Sequence, residues 1–266
     1  TVNLGHNSFS GKLDNLVGGL RLLESLILYH NQFTGTIPAS IGNLVNLQVL
    51  NLAENNFEGT IPAELNELTN LSFLSVQREG GISGSSDIGI NQGKSSLQGV
   101  GLSGPLPSFD KLTSITKLFL GVNGLTGSIP YNFLGGVRNK ASLIEVDLTS
   151  NTLTGTLPAS LTQFENMALY VAGNRFTSIA DGICSKSGWL GGDVASYQCD
   201  GVMCPAGTYN ALGRKSSTAP VCQSCNTGTT NNYLGSFECL SSSDAQEAFE
   251  REILEKIYHA MGGVNW

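Results

Sequence analysis

The stretch LESLILYHNQFTGTIP, residues 23–38, decides the fold. It recurs as LQVLNLAENNFEGTIP at residues 47–62 and as LIEVDLTSNTLTGTLP at residues 143–158. All three fit the pattern LxxLxLxxNxLxGxIP, and a period of about 24 residues dominates positions 1–180. A period of this length predicts a solenoid, in which each coil packs only on its two neighbours.

Each recurring residue type has a physical reason. Alternating side chains such as Leu26 and Leu28 point inward from a short parallel strand, so that stacked coils share one core. Gly residues such as Gly35 permit tight bends, and Pro residues such as Pro38 end the extended segment that follows. The recurrent Asn faces inward, where its amide can bond backbone groups that would otherwise be buried unpaired. These marker residues are Asn7, Asn31, Asn55, Asn123, Asn151 and Asn174.

The pattern therefore predicts an α/β repeat solenoid, made of leucine-rich repeats with a concave parallel β-sheet, over residues 1–183. The GxIP half of the motif resembles the plant-type class of leucine-rich repeats, found in receptor-kinase ectodomains and polygalacturonase-inhibiting proteins. This resemblance covers roughly residues 1–180. It implies a second, short sheet beside the concave one and a twisted solenoid, but it does not specify a ligand.

The fourth coil is interrupted by the Gly- and Ser-rich stretch QREGGISGSSDIGINQGKSS. Phe57 and Leu102 are 45 residues apart, about 21 more than one period. Long loops are uncommon unless functional, and similar "island" insertions help plant receptor ectodomains to bind ligand. We therefore expect an island insert at residues 77–97 to contribute to binding; the alternative is a tolerated surface insertion.

All six Cys lie between residues 184 and 239, outside the repeats. An even, clustered set indicates disulfides and an oxidising compartment. The segment CPAGTYNALGRKSSTAPVCQSC resembles the small disulfide-rich modules of ephrin-receptor and tumour-necrosis-factor-receptor ectodomains. With that resemblance we favour Cys184–Cys199, Cys204–Cys222 and Cys225–Cys239, one of fifteen possible pairings. A zinc site at Cys222 and Cys225 is the rival interpretation, but it lacks a second ligand pair.

The domain organisation follows from these features. We predict a solenoid at 1–183, a disulfide-rich module at 184–240 and a helix at 241–266. The apolar residues of the last segment fall on one helical face, and its GGxNW ending looks like the start of the cap of another repeat array. The arrangement resembles secreted multi-solenoid proteins of heterokont algae. Because Thr1 falls within a repeat, we expect the chain to be a stretch of a longer protein.

The outward positions of the concave sheet are the predicted binding surface. Exposed aromatic side chains are enriched at contact surfaces, which favours Tyr29, Phe73, Phe119 and Tyr170 as ligand contacts. Burial by neighbouring coils and by the insert is the alternative. An acidic concave face, with Glu54, Glu145 and Asp147, would favour basic partners. Asp147 is also a predicted ligand contact, as are Gln77 and Arg78, which lie where the insert leaves the strand.

Two smaller motifs concern polar surface groups. His6, His30 and Glu54 recur every 24 residues, so their side chains should stack in one column. A solvated polar edge accounts for them better than a metal or pH-sensing site. Asn70-Leu71-Ser72 is the only N-x-S/T sequon, and it predicts glycosylation at Asn70.

Composition limits the function. Charged residues make up 13% of the chain and the net charge is −7, with no Lys/Arg cluster, which argues against nucleic-acid binding. No apolar run reaches the ~18 residues of a membrane span. The chain has three His, no nucleophile motif and no phosphate loop, so we expect neither catalysis nor a cofactor.

The sequence therefore predicts an extracellular or cell-surface recognition module that binds a peptide, protein or glycan on the concave face and the island insert. Its parent would be a receptor-like or secreted multi-domain protein, which could be tethered to a membrane. The alternatives are a structural or adhesive matrix protein and an inhibitor of a secreted hydrolase.

Overall fold

The computed structural model describes residues 1–78, 101–241, 243–244, 246–247, 250 and 254. Its concave side is a parallel sheet of seven strands, each pairing with the strand of the next coil. Apolar residues, most of them Leu, point inward from these strands, and this produces the shared apolar core. In spatial order the strands are Val2–Asn3, Ser25–Ile27, Val49–Asn51, Phe73–Ser75, Lys117–Phe119, Ile144–Asp147 and Met167–Tyr170.

A second set of short parallel strands flanks the concave sheet, as the GxIP motif implies. The tight bends between the two sets of strands require a left-handed backbone, which glycine adopts readily; Gly104, for example, has a φ of +80°. Three strands form one sheet: Ser10–Lys12, Gln32–Gly35 and Asn56–Phe57. Five form another: Gly59–Thr60, Leu102–Pro105, Gly124–Gly127, Thr152–Leu157 and Arg175–Ile179.

The convex side is built from short 3-10 helices. Three of them directly follow a Pro with an extended backbone, which ends the preceding segment. These residues are Pro38, Pro62 and Pro158. The convex helices are Asn15–Gly19, Ala39–Asn43, Ala63–Glu67 and Ala159–Gln163.

The marker Asn residues join successive coils. The side-chain amide of Asn151 donates to the carbonyl of Leu120 in the preceding coil at 3.1 Å, and to Leu148 and Thr149 in its own coil. Its Oδ1 accepts the backbone N–H of Leu125 at 3.0 Å. The same cross-coil pattern occurs at the equivalent residues Asn31, Asn55, Asn123 and Asn174.

The apolar core continues past residue 183, where the sequence predicts the end of the solenoid. Trp189 is fully buried, and its indole N–H donates to the carbonyl of Phe164 at 3.0 Å. Val194, Val202 and Met203 belong to the same core cluster. Trp189, Val194 and Val202 lie on three short helices, and Met203 follows the last of them. The helices are Trp189–Gly192, Asp193–Tyr197 and Cys199–Val202, and they cover the open end of the last coil.

The cysteine region has the three disulfides favoured from sequence, Cys184–Cys199, Cys204–Cys222 and Cys225–Cys239. Cys222 and Cys225 lie in different disulfides, which leaves no thiolate pair for zinc. Two small antiparallel ladders complete the region, Thr208–Tyr209 with Gln223–Ser224 and Thr229–Thr230 with Leu240–Ser241.

Two predicted segments fall largely outside the described residues. The island insert is described only at Gln77 and Arg78. In the predicted helix 241–266, Ser241 instead ends the strand Leu240–Ser241, and the other described residues, 243–244, 246–247, 250 and 254, are helical. Within the described part of the chain, no helix combines the length and apolarity that a bilayer crossing needs.

Candidate recognition surface

The register of the concave sheet places its outward residues in continuous columns. Ser25, Val49, Phe73 and Lys117 pair directly across four neighbouring strands. The next column runs through Asn3, Ile27, Asn51, Ser75, Phe119, Asp147 and Tyr170. Three of the predicted aromatic contacts, Phe73, Phe119 and Tyr170, therefore lie on strands of one sheet. Tyr29 lies two residues beyond the strand Ser25–Ile27, and the exposure of the four differs.

Phe119 is not exposed as predicted. Only 3% of its surface is accessible, and its ring packs edge-on against the ring of Phe73 with centroids 5.7 Å apart. A ligand cannot contact Phe119 unless neighbouring atoms move. The expectation that Phe119 lies on the open face is wrong, and its position is part of the packing between coils.

Asp147 is also buried rather than exposed. Its carboxylate accepts hydrogen bonds from the Thr149 backbone N–H at 2.8 Å and from the Thr149 hydroxyl at 2.6 Å. The carboxylate lies against Gly121, where a Cβ atom would be 2.9 Å from its nearest oxygen. Asp147 is 0% accessible, so its carboxylate is not exposed to a bound ligand.

Gln77 and Arg78 are buried too, contrary to the prediction that they contact ligand. The side chain of Arg78 lies over Gly101, where a Cβ atom would come within 2.6 Å of Arg78 Cδ. Burial lowers the pKa of Arg78 because it disfavours the charged guanidinium. Both residues therefore contribute to the interior at the start of the insert.

Tyr170 is half-buried by the cysteine region. The guanidinium of Arg214 lies 5.5 Å from the centre of its ring, and Arg214 Nη1 donates to Asp193 Oδ2 at 2.7 Å. Burial raises the pKa of the Tyr170 phenol, and the Arg214 cation partly opposes that rise. Arg214 follows Tyr170 by 44 residues, so no local pattern could have indicated this contact.

The cysteine region covers the neighbouring part of the sheet as well. The N–H of Gly173 donates to Gly235 O at 2.9 Å, and the ring of Phe237 occupies the space beside Gly173. Ala172 lies against Gly213 and Gly235 and is only 3% exposed. The C-terminal half of the concave sheet is thus largely an internal packing surface.

The N-terminal half of the sheet is open. We call the outward residues Ile27, Tyr29, Val49, Asn51 and Phe73 the N-terminal concave surface; each is partly exposed. The ring of Tyr29 lies against Gly5 of the preceding coil, where a Cβ atom would come within 2.4 Å of the ring. Tyr29 thus contacts Gly5 and the His6 ring and remains partly exposed, and aromatic side chains are enriched at contact hot spots.

A polar column borders this surface where the strands end. The ring of His6 lies 4.7 Å from the rings of both Tyr29 and His30, and His30 Nδ1 is 2.8 Å from Glu54 Oε2. His6, His30 and Glu54 all have a positive φ near 53°. Among the described residues, no three His, Cys, Asp or Glu side chains are arranged to hold a metal ion.

Sequence comparison identifies the repeat class. The Leucine Rich Repeat family model matches residues 22–44, 46–68 and 142–164. These matches and the parallel solenoid show that the chain contains leucine-rich repeats. No curated protein matches the sequence.

Structural comparison relates the solenoid to plant receptors. The ectodomain of the Arabidopsis thaliana receptor kinase GASSHO1/SCHENGEN3, in complex with CASPARIAN STRIP INTEGRITY FACTOR 2, shares 31% identity over 70% of this chain, with a TM-score of 0.57. The Arabidopsis receptor kinase HAESA, in complex with the peptide hormone IDA and the co-receptor SERK1, shares 31% identity over 66%, with a TM-score of 0.51. This chain spans 20% and 26% of those two receptor chains.

A plant ice-binding protein has the same fold, with 23% identity over 66% of this chain and 50% of its own, and a TM-score of 0.52. That likeness concerns the fold alone, because one fold carries unrelated functions. The function must therefore be argued from the surface.

Proposed function

We propose that this chain is an extracellular recognition module that binds a peptide, protein or glycan on its N-terminal concave surface. The observation that carries the proposal is the contrast along the concave side: the C-terminal half is largely buried, whereas Phe73, and Tyr29 just beyond its strand, remain partly exposed. Partly exposed aromatic rings on a rigid sheet lose little conformational entropy when a partner covers them.

The chemistry of the surface defines what fits it. Ile27, Val49 and Phe73 offer adjacent apolar patches, and Asn51 offers a side-chain amide between them. Glu54 and His30 supply a polar border. An extended segment with alternating apolar and polar side chains would match these columns, and binding of this kind needs no catalytic group.

Two further observations support the proposal. Of the two plant receptor kinases with a similar solenoid, HAESA is in complex with a peptide hormone, and GASSHO1/SCHENGEN3 is in complex with CASPARIAN STRIP INTEGRITY FACTOR 2. Three disulfides favour an oxidising, extracellular location. The parent protein would be receptor-like or secreted, and the insert at residues 77–97 would add to the binding surface.

Paired charge substitutions test the proposal. The immobilised chain captures its ligand from the extracellular fluid of its source, and the affinity of the purified ligand is then measured. Val49→Lys places a strongly hydrated ammonium in the middle of the surface and should weaken binding at least tenfold, about 1.4 kcal/mol. Val45→Lys is the matched control, because Val45 is 53% exposed and lies outside the concave strands.

Equal affinity of both Lys variants would show that the ligand binds elsewhere. Circular dichroism and the melting temperature of each variant separate lost binding from lost folding. Both valines are partly or fully exposed, so both variants should fold.

A further inference from the structure

We propose that Asn70 carries an N-linked glycan, and that this glycan leaves Tyr29, at the far edge of the N-terminal concave surface, free. Asn70 is exposed in the turn between the convex helix Ala63–Glu67 and the strand Phe73–Ser75. Asn70-Leu71-Ser72 supplies the amide and the hydroxyl that the modification requires. The inference rests on the extracellular location in the proposed function.

The folded geometry accepts the modification without losing an internal contact. In the transfer, Asn70 Nδ2 forms a bond to C1 of N-acetylglucosamine on a lipid-linked oligosaccharide. The bond from C1 to the lipid pyrophosphate breaks, and Nδ2 loses one proton. Nδ2 keeps its second hydrogen, so it can still donate to the carbonyl of Val45, now 2.9 Å away.

The same geometry sets the order of events. Leu71 is fully buried, and the hydroxyl of Ser72 donates to Gln48 O at 3.0 Å. An enzyme cannot draw this tripeptide into its own site once the coil has packed. Transfer must therefore precede the docking of this coil, as it does when a chain is modified during synthesis.

The position of the glycan follows from the sheet topology. Asn70 precedes its concave strand, whereas the polar column with His30 and Glu54 follows the strands. A three-residue strand separates these two edges by about 10 Å. The glycan is therefore attached at the edge where Val49 and Phe73 begin their strands, about one strand length from the edge with the rings of Tyr29 and His30.

The neighbouring coil offers a matched control. Asn46 occupies the equivalent position 24 residues earlier, and its Nδ2 donates to Arg21 O at 2.9 Å. Asn46 is followed by Leu47 and Gln48, so it lacks the hydroxyl residue. Gln48→Ser would complete a sequon at an exposed, equivalent site.

The test is secretion of the chain from a eukaryotic host behind a secretion signal, followed by intact mass before and after an N-glycosidase. We expect one glycan on the wild type, none on Asn70→Gln, one on Asn70→Gln/Gln48→Ser and two on Gln48→Ser. A wild type without glycan overturns the proposal, most sharply when the double variant carries one. A glycan on wild type that lowers hydroxyl-radical oxidation of Tyr29 relative to Asn70→Gln overturns the placement.

Failure here is distinguishable from failure of the proposed function. Glycan occupancy is read by mass, whereas concave binding is read from Val49→Lys against Val45→Lys. An unmodified Asn70 with impaired Val49→Lys binding would refute only the glycan.

Discussion

Asn151→Ala tests the bonds between coils most sharply. The substitution removes the acceptor of the Leu125 N–H, which is buried, and the donor to the Leu120 carbonyl in the preceding coil. An unsatisfied buried N–H costs about 1–3 kcal/mol, and each lost bond contributes about 1 kcal/mol. We expect the free energy of unfolding to fall by about 2–4 kcal/mol.

Asn7→Ala is the control at the same repeat position. Asn7 is exposed, and its amide donates to Leu4 and Gly5 of its own coil. Its removal should cost no more than about 0.5 kcal/mol, as for surface substitutions generally.

Two measurements read out this pair. The urea midpoint gives the stability, and amide exchange at Leu125 gives the local effect, which matters because repeat arrays can unfold in steps. Asn151→Ala should lower the midpoint and speed exchange at Leu125. Equal midpoints for the two variants, with unchanged exchange at Leu125, would refute the assignment of the marker Asn to coil-to-coil bonding.

Three other outcomes follow from the described contacts. Phe119→Ala should lower the free energy of unfolding by about 3–5 kcal/mol, as a core truncation does, whereas a loss below about 1 kcal/mol would indicate an exposed ring. Burial raises the pKa of Tyr170, so the folded state holds that proton more tightly, and stability should fall as pH rises above about 10. Urea titrations at pH 9 and pH 11 measure the drop in the free energy of unfolding between the two pH values. This drop should be smaller in Tyr170→Phe than in wild type, and an equal drop in both would contradict the role of Tyr170. Replacing Cys184 and Cys199 by Ala should cost about 3 kcal/mol, since their disulfide closes a 15-residue loop, and an unaltered melting temperature would argue against this.

The sequence predicts the register of the solenoid well, because the period is local. The inward Leu and the marker Asn recur at one spacing, and each coil can bond only to its neighbours. The outward columns through Val49 and Phe73 therefore follow directly from counting. The favoured disulfide pairs lie close together in the chain, and the structure has the same pairs.

Exposure could not be predicted in the same way. Periodicity tells which side of a strand a residue faces, but it does not tell what covers that side. Tyr170 is covered by Arg214 and Ala172 by Gly213 and Gly235, all of which come later in a segment without repeats. Trp189 likewise closes the core from within a Gly-rich stretch that has no helical or strand period.

Hydroxyl-radical footprinting of the chain with its purified ligand tests the recognition surface most directly. We expect the bound ligand to protect Tyr29 and Phe73 from oxidation. Tyr131, which is 81% exposed outside the concave strands, should be oxidised equally with and without ligand. Protection of Tyr131 with unchanged oxidation of Tyr29 and Phe73 would contradict binding on the N-terminal concave surface.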